Sequence, residues 1–439
     1  MTDGRNPAIV DTSKRLSPLE EVMVANAKAA GRSTPSNAGS DERPSDYAWK
    51  ALAGSAIGYA MDGFDLLILG FMLPAIGLGL HLTTQQSGAL VTWTLIGTVG
   101  GGIVFGALSD RFGRIRVLTW TIVLFALFTG LCAFAQGFWD LLAYRTIAGI
   151  GLGGEFGIGM ALAAEAWPAR LRARSTSYVA LGWQAGVLAA SLLTPALLPH
   201  IGWRGMFLVG VGPALVAWFV RNRLHEPEVF VRATSTTKKP NAFKLLIADA
   251  RTARTSLGVV ILCSVQNFGY YGIMIWLPTY LARTLGFSLT KSGLWTSVTI
   301  VGMMVGVYLF GQLADRIGRK PTFILFQAGA VAMVITYSQL VNPAVMLWAG
   351  AFMGMFVNGM IGGYGALMAE AYPTAARATA QNVLFNLGRA VGGFGPIVVG
   401  GVAAAHSLQF AIALLASIYV VDIIATIFLI PELKGVELE

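Results

Sequence analysis

With 439 residues, 55% of them hydrophobic and only 12% charged, the chain is too apolar for a water-soluble domain, and its mean hydropathy of +0.65 calls for lipid as its solvent. The net charge of +9 excludes a nucleic-acid partner as its simplest explanation, because the positive residues are spread over successive loops instead of being gathered on one face. Cys132 and Cys263 fall inside apolar stretches and read as small core residues with no disulfide expected.

In chain order, residues 1–46 are polar, rich in Ala, Ser, Asn and Gly, and lack the apolar core of a signal peptide, so a disordered cytoplasmic tail is expected there. Apolar stretches then recur at 49–73, 88–108, 117–135, 141–164, 176–198 and 206–220. Each is long enough, or nearly so, to cross about 30 Å of hydrocarbon as a helix. After a basic linker over 223–253 a second set follows at 256–281, 293–313, 323–340, 344–367, 380–403 and 409–430. The expectation is an all-α membrane protein of twelve transmembrane helices, with six-helix bundles at 47–222 and 254–431 and a short cytoplasmic tail at 432–439.

Lys and Arg accumulate in short cytoplasmic loops. Arg111, Arg114 and Arg116 lie between the second and third spans, and Arg170, Arg172 and Arg174 between the fourth and fifth. Arg316, Arg319, Lys320 and Arg377 occupy the matching loops further on, whereas 74–86 and 136–141 contain no Lys or Arg. Both termini are therefore expected in the cytoplasm, with the chain in the inner membrane.

An internal repeat organises the chain. At a shift of 205 residues, GALSDRFGRIR (106–116) overlays GQLADRIGRKP (311–321), and EAWPARLRAR (165–174) overlays EAYPTAARAT (370–379). Two segments aligning at one shift indicate parallel six-helix repeats related by an axis along the membrane normal. The G-x-L-x-D-R-x-G-R loop present in each half resembles the signature of the major facilitator superfamily, a resemblance that spans the chain from the first helix to the twelfth. GYAMDGFDLLILGFMLP (58–74) and RTIAGIGLGGEFGIGMALAAEAWPARLRAR (145–174) resemble the branch of sialic-acid and lactate/pyruvate proton symporters. The D-G-x-D segment is also similar to one in aromatic-acid:proton symporters, whose pattern includes an Arg in a Gly-flanked stretch of the eleventh helix; NLGRAVGGFGP provides Arg389.

In the repeated loops, Asp110 and Asp315 stand beside Arg111, Arg114, Arg316 and Arg319, where a carboxylate can pair with a guanidinium or a helix N-terminus. The resemblance implies that these loops, with Gly106, Gly113 and Gly318, control the conformational equilibrium, and that Glu165 and Glu370 with Arg174 and Arg377 are their cytoplasmic partners. The alternative is plain topology-setting charge.

Ionisable residues deep in a span cost about 2.5–3.5 kcal/mol each and should face a cavity or a partner. Asp62 and Asp65 are three residues apart and share one helix face. Arg145, a few residues into the fourth span, reaches a similar depth, so it can pair with either aspartate. This cluster, with Glu155 as a relay or a packing contact, suits proton coupling; a permanent salt bridge between the first and fourth spans is the structural alternative. Arg389 falls near the midplane and invites a carboxylate, and its repeat-equivalent is the neutral Gln184. At the same depth Gln266, Asn267, Tyr270 and Tyr271 of the seventh span and Asn358 and Tyr364 of the tenth offer hydrogen-bonding contacts to a substrate. Asp422 in the twelfth span reads as structural. His81, His200, His225 and His406 fall near span ends or in the linker, so no metal site is expected. The Gly-rich runs lack a P-loop lysine, and no nucleophile and base come together, so neither an enzyme nor a cofactor is expected.

These features point to a proton-coupled symporter that imports a small organic anion, working as a monomer in the lipid bilayer. The resemblance puts monocarboxylates or acidic sugars first and aromatic acids second. A sensor built on a transporter scaffold and a drug:proton antiporter are the rivals from other classes.

Overall fold

The computed structural model describes residues 43–221, 224–227, 229–231, 241–286, 289–436 and 438. Most of the expected N-terminal tail, up to residue 42, lies outside the described residues, as do 232–240 of the linker. Helices fill nearly all of the rest, in the order Asp46–Gly79, Thr84–Phe112, Arg114–Cys132, Phe138–Gly153 with Glu155–Ala166, and Arg172–Arg221. The second set comprises Ala250–Leu285, Leu289–Ile317, Arg319–Gln339, Pro343–Gly359 with Ile361–Ala371, Arg377–Gly392 with Gly395–Ala405, and Leu408–Leu429.

Among the described residues, eleven helical stretches are long and apolar enough to cross a membrane. One of them, Ala169–Phe219, has 51 residues, more than two crossings' worth at about 1.5 Å per residue. It turns at Gly202, whose φ of 65° and ψ of 177° leave the helical region. Counted as two, it completes the twelve spans. Their outward faces carry large apolar side chains such as Leu78, Trp139 and Ile397, exposed at 80%, 75% and 71%, the pattern lipid requires.

Polar residues mark the ends of the spans. Ser45 caps the first by accepting from the Ala48 amide at 3.2 Å, and Thr83 and Gln86 form a reciprocal capping box on the second. Asp249 caps the seventh by accepting from the Thr252 amide at 2.8 Å. That bond holds the Asp249 carboxyl below the ordinary range.

The fourth, tenth and eleventh spans, expected as unbroken helices, are interrupted at Gly154, Met360 and 393–394. The first two fall at buried residues, and the third at exposed Gly393 and Phe394. Packing between the second and fourth spans, and again between the eighth and tenth, is backbone to backbone. A Cβ at Gly101 would lie 2.0 Å from the Ile150 carbonyl oxygen, and one at Gly306, its repeat-equivalent, 2.1 Å from that of Met355. Only glycine permits that approach.

Candidate functional site: a closed face and a buried central cluster

The two repeated loops are built alike. After Phe112 and Ile317 the chain turns through Gly113 (φ 114°) and Gly318 (φ 110°), conformations in which L side chains are strained. The turn aims the next helix N-terminus at a carboxylate from the end of its own half. Glu226 accepts from the Arg114, Ile115 and Arg116 amides at 2.7, 3.0 and 3.2 Å. Glu432 accepts from the Arg319 and Lys320 amides, each at 3.0 Å. Burial pushes the Glu226 carboxyl above its ordinary range, against the pull of those amides and of Arg114. A Cβ on Gly113 would come 2.4 Å from Glu226 Oε1, and one on Gly318 2.7 Å from Glu432 Oε2.

From these turns the buried arginines bridge the repeats. Arg114 donates to Asp110 at 2.7 Å and to Glu165 at 3.0 Å, and Glu165 also accepts from Arg377 at 2.7 Å. Asp110 crosses to the eleventh span, where it accepts from the amides of Ala378 and Thr379 at 3.2 and 2.8 Å. The other copy repeats the pattern: Arg319 donates to Asp315 at 3.0 Å and Glu370 at 2.7 Å, and Asp315 accepts from the Ala173 and Arg174 amides, each at 3.1 Å. Arg174 meets the loop through Asp315, and a further arginine joins them. The residue that reaches Glu370 across the repeats is Arg172, at 3.0 Å, whereas Arg174 is partly exposed and meets Asp315 at 3.5 Å. The repeat shift already carried that information, since Arg377 less 205 is Arg172. Arg111 and Arg316 are exposed at the rim. The face carrying these loops is thus closed by ion pairs and helix-end bonds running in both directions between the repeats.

Gly106 presses against Asn382 of the eleventh span, where a Cβ would come within 2.9 Å of the Asn382 Cβ. Asn382 Oδ1 in turn accepts from the Gly157 amide at 3.2 Å, capping the broken fourth span from the other repeat.

At the centre the two aspartates part company. Arg145 holds Asp65 with two bonds, Nη1 to Oδ1 at 3.0 Å and Nη2 to Oδ2 at 2.6 Å, with both side chains fully buried. Asp62, one turn away, is 1% exposed and has no hydrogen-bond partner among the described residues. Its nearest cation is Arg389 of the eleventh span, at 3.9 Å, beyond hydrogen-bond distance. Arg389 donates from Nε to the Tyr271 hydroxyl at 3.4 Å and lies over the Trp183 ring at 5.1 Å. Glu155 sits apart, accepting from Thr121 Oγ1 at 2.8 Å.

Between the repeats, Arg389, Trp183, Tyr59, Phe385 and Ile361 line a cavity together with Gln266, Asn267, Tyr270, Tyr271 and Asn358. Its volume is about 10 Å³, room for about one water, so the centre is shut as well as the loop face. Gln266 donates to Asn358 at 2.8 Å and Asn267 to the Cys263 carbonyl at 2.8 Å. Phe156 and Phe385 stack at 3.8 Å, and Tyr59 packs on Phe156 and Trp183 at 5.3 Å each. Of the residues picked from sequence, the two amides and the amide-bearing Asn358, both tyrosines of the seventh span and Arg389 meet here. Gln184 is buried off the cavity with its amide atoms unpartnered, and Tyr364 donates to the Leu262 carbonyl at 3.0 Å and stacks on Phe323. Tyr59 and Phe385 went unrecognised, although Tyr59 precedes Asp62 by three residues and Phe385 precedes Arg389 by four, the spacings that share a helix face. Among the described residues no three His, Cys, Asp or Glu side chains gather as a metal site.

The comparisons with known proteins agree with this architecture. The family model described as Major Facilitator Superfamily matches residues 55–396 and 280–437. A protein of Haemophilus influenzae, named by inferred role for metabolite transport, is 73% identical over 400 residues, covering 90% of this chain and 98% of its own. One of Cupriavidus pinatubonensis, named "Probable 4-methylmuconolactone transporter", is 34% identical, covering 87% and 90%. The solved proton:xylose symporter XylE, bound to 6-bromo-6-deoxy-D-glucose, superposes with a TM-score of 0.75 at 20% identity, covering 90% of this chain and 98% of its own, a likeness of fold. The chain belongs to the Major Facilitator Superfamily and is a multi-pass membrane transporter of small metabolites, not an enzyme.

Proposed function

We propose that the protein is a proton-coupled symporter for a small organic anion, with Arg389 as the anion site and Asp62 as the proton carrier. The observation that carries this reading is the 3.9 Å separation of Asp62 and Arg389, two buried charges in reach of each other without a hydrogen bond. A substrate carboxylate that takes a bidentate hold on Arg389 displaces Asp62 as its counter-charge. Asp62 is then a buried carboxylate without a cation, and a proton relieves it. Anion and proton therefore bind together and travel together. The Asp65–Arg145 pair holds its carboxylate too tightly to take up a proton in the same step and serves to join the first and fourth spans.

Among organic anions, flat unsaturated carboxylates come ahead of acidic sugars. Tyr59, Trp183, Tyr271 and Phe385 give the cavity aromatic walls, on which a conjugated acid stacks. The relative named for 4-methylmuconolactone fits that preference. Acidic sugars form the second reading, favoured by the carboxamides of Gln266, Asn267 and Asn358. The closed, arginine-rich face is cytoplasmic, with both termini on that side of an inner membrane. Access alternates as the bundles over 47–222 and 254–431 rock about the centre of a monomer.

Uptake of radiolabelled lactate, pyruvate, sialate and benzoate into proteoliposomes under an inward proton gradient tests the reading. Gradient-driven accumulation of benzoate above sialate is the expected result. Accumulation of none of the four, with movement of an organic cation instead, would replace it by drug:proton antiport.

A further inference from the structure

A second polar cluster lies in the last six spans, off the central cavity. Asp422 of the twelfth span has 0% exposure, and Tyr419 and Thr426, three and four residues away, share its helix face and are equally buried. Gln327 of the ninth span, Cys263 of the seventh and Tyr364 of the tenth face it within electrostatic reach. None of these is a cation. Neither carboxyl oxygen of Asp422 has a hydrogen-bond partner among the described residues, and Gln327 Oε1 and the Tyr419 hydroxyl lack one too. The other end of the Gln327 amide is engaged, Nε2 donating to Thr426 Oγ1 at 2.7 Å.

The repeat shows that the cluster is an addition to the common architecture. The 205-residue shift sets Asp422, Tyr419 and Gln327 against Ala217, Ala214 and Ile122, which pack together as part of an apolar cluster in the first half. A single acid has therefore been placed where its counterpart is hydrocarbon. Left ionised there, with no cation facing it, it would be strongly penalised. One proton removes the charge. It also gives the carboxyl an O–H that can donate to the unpartnered oxygens of Gln327 and Tyr419.

We propose that Asp422 is a resident proton-binding site, a neutral carboxylic acid that ties the twelfth span to the ninth and keeps its proton through the transport cycle. It differs from Asp62 in having no guanidinium to exchange with and no place on the cavity wall, so nothing in the cycle pulls its proton away.

Infrared spectroscopy of the reconstituted full-length protein at neutral pH, wild type against Asp422→Asn, tests this directly. A carbonyl band of a non-ionised carboxylic acid, shifted by deuterium oxide and missing from Asp422→Asn, is the expected difference. Because asparagine mimics the neutral acid, the variant should also keep wild-type gradient-driven uptake, while Asp422→Leu, which has no polar group for Gln327, should melt at a lower temperature. Absence of the band difference would overturn the proposal, as would loss of gradient-driven uptake in Asp422→Asn with substrate exchange intact. Sodium chloride raising the melting temperature of wild type but not of Asp422→Asn, relative to potassium chloride, would overturn it in favour of a metal-cation site. The infrared arm does not depend on which substrate is carried, so it stands even if the symport reading fails.

Discussion

The loop face and the centre of this transporter treat the internal repeat in opposite ways. At the loop face every part occurs twice: a positive-φ glycine, a capping glutamate, an arginine shared between an aspartate and a glutamate, and a second arginine arriving from the other half. At the centre the symmetry is gone. Arg389 answers to Gln184, Asp62 to Asn267 and Asp65 to Tyr270. The proposed rocking of the bundles needs two equivalent surfaces that part and rejoin, which the duplicated loops supply. The proposed exchange of an anion and a proton between Arg389 and Asp62 needs unlike groups, which the divergence of the copies at the centre supplies.

The largest effect on transport should come from making the centre symmetric. Arg389→Gln installs the residue found at the equivalent place in the first half. It removes a buried charge-pairing group worth roughly 2–5 kcal/mol, so acid uptake in proteoliposomes should fall by about 30-fold or more. Unchanged uptake would mean that the anion binds elsewhere.

Arg145→Gln should spare the loop face and strike stability. It leaves Asp65 fully buried without its two bonds, a loss of about 3–5 kcal/mol, visible as a lower melting temperature in detergent. The double variant Asp65→Asn with Arg145→Gln should recover most of that loss, because no charge is then left uncompensated. If the double variant is as unstable as the single one, the pair is not what joins the two spans.

The smallest effect tests the duplicated side. Gly113→Ala and Gly318→Ala each force an L residue into a positive-φ, extended-ψ conformation and press a methyl on a capping glutamate, for about 1–3 kcal/mol each. Melting curves should show two similar losses. A large loss in one and none in the other would break the symmetry assigned to the loop face.

Much of this was legible in the sequence for physical reasons. Spans are long runs of apolar residues, and their length is set by the bilayer, so their number and order follow from hydropathy alone. The repeated loops were visible because ion-pair networks need charged residues at fixed spacing. Less visible were the interruptions of the fourth, tenth and eleventh spans, since Gly154, Met360, Gly393 and Phe394 keep right-handed helical angles and call for no special residue. The choice between Asp62 and Asp65 as partner of Arg145 was open because both lie on one helix face, and a single turn of the first span, about 5 Å of rise, separates them. Arg172 went unrecognised as the arginine that reaches Glu370, although the repeat register, applied to Arg377, leads to it.

The central claim, that Asp62 exchanges its proton as the substrate takes Arg389, is tested most directly by Asp62→Asn in two assays on the same proteoliposomes. The account predicts that substrate exchange at equal pH on both sides survives, because asparagine stands in for the protonated acid, while accumulation driven by a proton gradient is lost. Gradient-driven accumulation at the wild-type level in Asp62→Asn would contradict it and move proton coupling to another carboxyl group.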